Sequence, residues 1–157
     1  MNLGKILTFK EIINDKSLPP DPIIKEGVLL DKTILAIIGP AKSQKTFLCM
    51  NFAKLIASGH SFAGFKSDGN NKVIYLCAEG GYYPNRDRIK IIAKDLDEKI
   101  LQSIIFPKYI NLTLNVEEDY SFLNLFIKEC RPKVLIIDPF IRFHNVDENS
   151  SNSISGI

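Results

Sequence analysis

Residues 39–46 of this chain read Gly39-Pro40-Ala41-Lys42-Ser43-Gln44-Lys45-Thr46. An apolar run over residues 34–38 predicts a strand before this octet, and the pattern over residues 46–57 predicts a helix after it. The apolar face of that helix consists of Leu48, Phe52, Leu55 and Ile56. A loop between a strand and a helix can bind a di- or triphosphate, because its backbone N–H groups and the positive end of the helix both attract anions. The octet therefore predicts a phosphate-binding loop, with an ordinary strand-to-helix turn as the alternative.

Side chains of the loop add specific chemistry to this prediction. Lys45 supplies a positive charge for the outer phosphates, and Thr46 carries the first hydroxyl of the helix, where it can bind Mg²⁺. Gln44 stands where the motif G-x-x-x-x-G-K-[ST] has its second glycine, so a Cβ and an amide lie close to the expected ligand. The residues expected to bind nucleotide are Gly39, Pro40, Ala41, Lys42, Ser43, Gln44, Lys45, Thr46 and Phe47.

The composition predicts one globular domain rather than a disordered or membrane protein. The chain has 157 residues, of which 45% are hydrophobic, and it carries 20 basic against 18 acidic side chains. A net charge of +2 neither requires nor excludes a nucleic-acid partner. The sequence contains no apolar run of transmembrane length and no signal peptide, so we expect a cytoplasmic protein without a membrane partner.

The three cysteines, Cys49, Cys77 and Cys130, lie within apolar patterns and lack C-x-x-C spacing. This placement predicts reduced core residues. A metal site that combines cysteines with His60 and His144 is the alternative.

The chain divides into two regions of different character. Residues 1–22 form a leading segment that ends in the proline-rich connector Ser17-Leu18-Pro19-Pro20-Asp21-Pro22, which cannot be helical. Residues 23–157 carry the alternating strand and helix patterns of a domain. The sequence thus predicts a connector up to residue 22, followed by the folded domain.

Three further strands are predicted over residues 73–78, 104–106 and 134–137. Between them we expect a helix capped by Asn85, and another over residues 120–130 that is ended by Pro132. The inward side chains of the second helix are predicted to be Phe122, Leu125 and Phe126. Alternating strands and helices predict an α/β fold, with a mostly parallel sheet between two layers of helices.

Two acidic residues follow the strongest strands, Glu79 after the strand at 73–78 and Asp138 after the strand at 134–137. The carboxyl ends of parallel strands meet at one edge of the sheet, where ligands of such folds bind. We therefore expect Asp138 to hold the water shell of Mg²⁺ and Glu79 to orient or deprotonate the attacking water. The alternative is that each acidic residue only marks where a strand reaches the surface.

These residues together resemble the RecA-like ATPases of the plasmid RepA replicative-helicase group. The resemblance rests on residues 39–46, on Tyr75-Leu76-Cys77-Ala78-Glu79, and on the run from Leu135 through Asp138, Arg142 and His144 to Asp147-Glu148-Asn149-Ser150. It implies a RecA-like P-loop NTPase fold, a three-layer sandwich, that uses ATP and Mg²⁺. It also implies that Lys45 and Glu79 are catalytic, that Thr46 and Asp138 hold the metal, and that Arg88 lies near the nucleotide.

The same resemblance implies a homo-oligomer, a hexameric ring, that acts on single-stranded DNA. A RecA-like core continues beyond its third motif, so we expect residues 23–157 to be only the amino-terminal part of the fold, cut off after the Walker B strand. Two alternatives remain open at this point. One is a nucleotide-sensing or partner-binding remnant without catalysis, and the other is a RecA-like regulatory ATPase.

Overall fold

A computed structural model describes residues 6–145 of the chain. In chain order the elements are α1 (Phe9–Ile13), β1 (Pro22–Ile24), β2 (Leu29–Leu30), α2 (Lys45–Ser58), β3 (Val73–Cys77), α3 (Tyr82–Ile92), α4 (Glu98–Leu101), β4 (Ile104–Ile105), α5 (Glu117–Cys130) and β5 (Val134–Asp138). A 3-10 helix, Phe140–Phe143, follows β5. From α2 onward at least one helix separates each strand from the next, which confirms the predicted α/β class.

The main sheet has three parallel strands in the order β4-β3-β5. β3 pairs with β5 along its whole length, from Val73 opposite Val134 to Cys77 opposite Asp138. A separate antiparallel pair, β1 with β2, precedes α2. The parallel sheet with helices on both faces agrees with a P-loop NTPase fold.

Side chains of β3 alternate between the two faces of the sheet, as the period of a strand requires. Val73 and Tyr75 are buried in a core with α2, whereas Ile74 and Leu76 are buried in a second core with α5. Because both faces are covered, β3 reads as an almost unbroken apolar run. The strand that leads to Glu79 is therefore held firmly from both sides.

The strand predicted at residues 34–38 is not formed. Within residues 6–145 no strand pairs with this segment, and its side chains Ile34 and Ile38 are 96% and 92% exposed. Lys133 Nζ lies 3.0 Å from Asp31 Oδ1, so the chain enters the segment near the start of β5 yet does not pair with it. Apolar side chains favour a strand, but a strand also requires a hydrogen-bonded neighbour.

The predicted inward face of α5 is wrong at two positions. Phe122 and Leu125 are each 60% exposed, while Leu123 is buried against the sheet. The inward stripe follows the helical spacing i, i+3, i+4, i+7 and consists of Leu123, Phe126, Ile127 and Cys130. Apolar side chains surround much of this helix. Its sequence therefore fits two possible apolar stripes, one of which is shifted along the chain by one residue relative to the other.

The leading segment contains one short helix, α1, closed by a capping box between Thr8 and Glu11. None of its residues is buried. Pro22, the last residue of the predicted connector, belongs to β1 and lies opposite Leu30 of β2. The division at residue 22 stays a prediction.

Across residues 6–145, no helix combines the length and the apolar character that crossing a membrane demands.

We predict that Leu123→Ala lowers the free energy of unfolding by about 2–5 kcal/mol, because it removes a buried side chain from the second core. Leu125→Ala, in the same helix, should cost no more than about 1 kcal/mol, since most of its side chain is already in water. Urea unfolding followed by circular dichroism measures both. Equal losses would contradict the assignment of the inward face.

Candidate functional site

The octet forms a loop that leads directly into α2, which begins at Lys45. Gln44, the residue before the helix, has φ 64° and ψ 23°, and Lys42 has φ 64°. These are left-handed conformations that glycine adopts without strain and that cost other residues about 1–2 kcal/mol. Gln44 thus follows the backbone path expected of the motif's missing glycine, although it carries a side chain.

The loop packs closely around its single glycine, Gly39. A Cβ added at Gly39 would lie 3.0 Å from Ser43 Oγ, which is tighter than ordinary contacts. The Ser43 N–H donates to Pro40 O at 3.3 Å and holds the turn. The chain therefore curls back on itself, and its backbone amides precede the amino-terminal end of α2.

The side chain of Lys45 folds back and forms hydrogen bonds with the start of the loop. Its Nζ donates to Gly39 O and to Pro40 O, both at 2.8 Å. The ammonium is thereby held against the first two residues of the octet, within the curl of the loop. A phosphate bound there would take over hydrogen bonds that these carbonyl oxygens now accept.

Asp138 is the last residue of β5 and is only 5% exposed. Its Oδ2 accepts a hydrogen bond of 2.6 Å from the Tyr75 hydroxyl, and the same phenol oxygen lies 3.3 Å from Thr46 O. Asp138 and Thr46, which the sequence assigned to one metal ion, therefore lie on either side of a single hydroxyl group. The contact on the Thr46 side is with its backbone carbonyl oxygen, so the structure links the two residues through Tyr75, and their shared role at a metal ion stays a prediction.

Glu79 follows β3 at the same edge of the sheet, because the Ala78 N–H donates to Asp138 O at 2.9 Å. Its backbone is held by Asn85, which is 2% exposed and donates from Nδ2 to Glu79 O at 2.7 Å. Arg88 Nη1 donates in turn to Asn85 Oδ1 at 3.1 Å. Arg88 is thus connected to the turn at Glu79, while its predicted place near the nucleotide stays a prediction.

Asn85 does not cap α3, in contrast to the sequence prediction. The helix begins earlier, at Tyr82, after Gly80 and Gly81, both of which have positive φ. Gly81 has φ 69° and ψ 167°, a region that is essentially restricted to glycine. This turn places Asn85 inside the first turns of α3, from which its side chain reaches back to Glu79.

The Glu79 carboxylate faces the 3-10 helix that follows β5. Arg142 Nε lies 3.7 Å from Glu79 Oε1, and both side chains are largely exposed. An exposed pair at this distance contributes little to stability. Its importance is positional, because it shows that the segment after Asp138 reaches the carboxylate after β3.

Burial and the negative charge of Asp138 affect the neighbouring ionisable groups. Burial, with a smaller effect of Asp138, raises the pKa of Cys49 to about 12. Burial also raises the pKa of Tyr75, and its hydrogen bond to Asp138 raises that pKa further. The phenol therefore keeps its proton at neutral pH and acts as the donor to Asp138.

Sequence reasoning missed Tyr75 and did not assign a contact to Arg142. The sequence did contain a sign that Tyr75 matters. Apart from Cys77, Tyr75 has the only polar side-chain group in the strand Val73–Cys77, and a buried hydroxyl requires a hydrogen-bond partner. Nothing in the sequence relates Arg142 to Glu79, because they are 63 residues apart and only the pairing of β3 with β5 brings them together.

His144 packs beside Phe140, with ring centroids 4.9 Å apart, and Asp147-Glu148-Asn149 lies outside the described residues.

The cysteines are free thiols, as predicted. In residues 6–145 no three side chains of His, Cys, Asp or Glu gather closely enough to hold a metal ion. His60 Nδ1 instead lies 3.5 Å from Asp95 Oδ2. A metal at the described edge of the sheet would therefore depend on ligand phosphates and water in addition to Thr46 and Asp138.

Comparison with known families agrees with this geometry. A family model described as AAA domain matches residues 5–157, nearly the whole chain. No curated protein matches the chain.

We predict that Gln44→Gly raises the free energy of unfolding by about 0.5–1 kcal/mol, because glycine adopts φ 64° without strain. Gln44→Ala is the matched control, since alanine keeps the Cβ and should give no such gain. Urea unfolding of the three proteins tests this. A gain in the alanine variant equal to that in the glycine variant would show that the side-chain amide, rather than the backbone, causes the strain.

Proposed function

Because the chain belongs to the AAA domain family of P-loop ATPases, we propose that it is an ATP-hydrolysing motor subunit of the plasmid RepA helicase type. ATP binding follows from the family, whereas hydrolysis, the helicase role and single-stranded DNA as partner are our proposal. The observation that carries it is the grouping of Thr46, Asp138, Glu79 and Arg142 at one edge of the parallel sheet. A phosphate loop, a buried carboxylate and an exposed carboxylate are the groups that nucleotide hydrolysis requires.

The residues at this edge fit ATP and Mg²⁺. The backbone N–H groups of residues 39–46 other than Pro40, together with the Lys45 ammonium, suit the phosphates. The Thr46 hydroxyl and the Asp138 carboxylate are the hard oxygen ligands that Mg²⁺ prefers. Asp138 is buried and is linked to the Thr46 backbone through the Tyr75 hydroxyl, and a bound cation would offset part of the cost of burying its carboxylate. When bound, Mg²⁺ would neutralise negative charge on the phosphate oxygens.

Glu79 is suited to act on the attacking water. Its carboxylate is exposed, while its backbone is anchored through Asn85. A carboxylate oxygen of Glu79 would orient the water and accept its proton. Arg142 lies beside Oε1 and would hold that carboxylate toward the edge of the sheet.

A group of aromatic and basic side chains supports the proposed nucleic-acid partner; Tyr83, Lys108 and Tyr109 are exposed, whereas Tyr82 and Arg86 are half-buried. Tyr82 and Tyr83 contact each other at the start of α3, with ring centroids 5.4 Å apart. Lys108 Nζ lies 5.0 Å from the Tyr82 ring and 5.3 Å from the Tyr109 ring, and Arg86 lies 5.2 Å from the Tyr83 ring. Rings that stack on bases, next to cations that attract phosphates, are typical of single-strand binding. We call these five residues the tyrosine cluster.

The hexameric ring is part of the same proposal and rests on the resemblance. Exposed apolar side chains near the site support it, since Phe47, Phe140 and Ile141 are all accessible to solvent. Such side chains are enriched where subunits meet. The chain can also be a nucleotide-sensing or partner-binding protein without catalysis. Lys45 must leave two carbonyl oxygens before it can bind a phosphate, and this contact favours the partner-binding form of that alternative.

We predict that Lys45→Ala lowers the affinity for Mg-ATP at least about 100-fold, because it removes the cation that meets the outer phosphates. Lys90→Ala, which removes an exposed lysine of α3, is the matched control and should bind as the parent does. Calorimetric titration measures all three proteins. Equal affinities of the parent and Lys45→Ala would overturn the phosphate-loop assignment.

Turnover distinguishes the motor from the nucleotide sensor. In Glu79→Gln, ATP hydrolysis should fall about 100-fold or more while binding persists, because the carboxylate that accepts the proton is lost. Phosphate release by the parent above the Lys45→Ala background supports the motor. Binding without any release by the parent would instead support the sensor.

We predict that Tyr83→Ala with Tyr109→Ala weakens binding to a labelled oligothymidine about tenfold or more, because two stacking surfaces are lost. Tyr120→Ala on α5 is the matched control, since Tyr120 is also exposed but lies outside the cluster. Fluorescence anisotropy measures the affinity, and the absence of tryptophan allows tyrosine quenching to report stacking directly. Equal affinity of the double variant and the parent would exclude the cluster as the DNA site.

A further inference from the structure

The Tyr75 hydroxyl is the only group within β3 that contacts both Asp138 and the first turn of α2 among the described hydrogen bonds. It lies 2.6 Å from Asp138 Oδ2 and 3.3 Å from Thr46 O. Its single proton goes to the closer and charged acceptor, Asp138. Tyr75 is 2% exposed, so water does not replace this bond in the folded protein.

Packing alone does not explain a tyrosine at this position. The ring packs edge-on against Phe106, with centroids 5.5 Å apart, and it belongs to the core formed with α2. Phenylalanine would make the same ring contacts without burying a hydroxyl, and burying a hydroxyl is unfavourable unless it is hydrogen-bonded. The hydroxyl therefore acts through its partner, which is the carboxylate at the end of β5.

We propose that Tyr75 is the positioning residue of the metal site, holding the Asp138 carboxylate in the orientation in which it supports Mg²⁺ beside Thr46. This inference rests on the proposed function, because it requires a bound Mg-nucleotide. Tyr75 would act through Asp138 rather than on the nucleotide or the ion directly. It fixes Oδ2 by a hydrogen bond, so Oδ1 would be the oxygen left for the water shell of the ion.

The hydrogen bond from the Tyr75 hydroxyl to Asp138 determines how much Tyr75 contributes to the affinity for Mg²⁺. A group that orients a metal ligand usually contributes about 10- to 100-fold to metal affinity. Without the phenol, the buried carboxylate is free to rotate, and a rotated carboxylate gives weaker support to the ion. Binding of nucleotide in the absence of Mg²⁺ should not depend on the hydroxyl, since the phosphates would then be bound by the loop alone.

The experiment compares nucleotide affinity with Mg²⁺ and with EDTA in the parent and in Tyr75→Phe. By calorimetry, the ratio of the two affinities should fall about tenfold in Tyr75→Phe, with the EDTA value unchanged. Phe106→Leu is the matched control, because it disturbs the packing of the Tyr75 ring but keeps the hydroxyl. Its ratio should equal that of the parent, even if it unfolds at lower urea concentration.

A double-mutant cycle with Asp138→Asn separates positioning from a general structural effect. If Tyr75 acts through the carboxylate, Tyr75→Phe should not change the ratio further once Asp138 has become asparagine. An unchanged ratio in Tyr75→Phe overturns the inference and leaves ATP binding standing. An equal loss in Phe106→Leu also overturns it, because packing would then explain the effect. A parent that binds no nucleotide overturns the proposed function and, with it, the role given to Tyr75.

Discussion

The parallel pairing of β3 with β5 is the interaction on which the rest of this structure depends. Five residues of each strand pair without a bulge, and the pairing ends with Cys77 opposite Asp138. This register places the turn at Glu79 beside the residues that follow Asp138. A shift of one residue would reverse the faces of β5 and move Asp138 away from Tyr75. The register of one strand pair therefore determines whether the site exists.

Burial makes that register specific. β3 is covered on one face by α2 and on the other by α5, and its side chains from Val73 to Leu76 are all buried. A strand packed on both faces cannot slip without moving apolar side chains into water, at a cost of about 25 cal/mol for each Å² exposed. The two helices thus fix the sheet, and the sheet fixes the positions of the two carboxylates.

Polar contacts then refine what the apolar core positions. Asn85 holds the backbone of Glu79, and Tyr75 holds the side chain of Asp138. Both donors are almost completely buried, so their hydrogen bonds do not compete with water. The catalytic carboxylate we propose is held by its backbone and left exposed, whereas the carboxylate proposed for the metal is held by its side chain and buried. This difference suits a group that must move a proton and a group that must stay fixed.

The sequence by itself determined the α/β class, and it placed α2, β3 and β5 to within one residue of their observed ends, because these features follow from local periodicity and from residue types. It failed where a second element decides the outcome. Residues 34–38 are apolar enough for a strand, yet a strand needs a neighbour, and no pattern within the segment specifies one. In α5, two apolar stripes were possible, and only packing against the sheet selected Leu123 over Leu125. The contacts of Tyr75 with Asp138 and of Arg142 with Glu79 likewise join residues 63 positions apart, which local sequence cannot relate. Tertiary structure decided these features because strand pairing and helix packing, rather than local propensity, set which side chains meet.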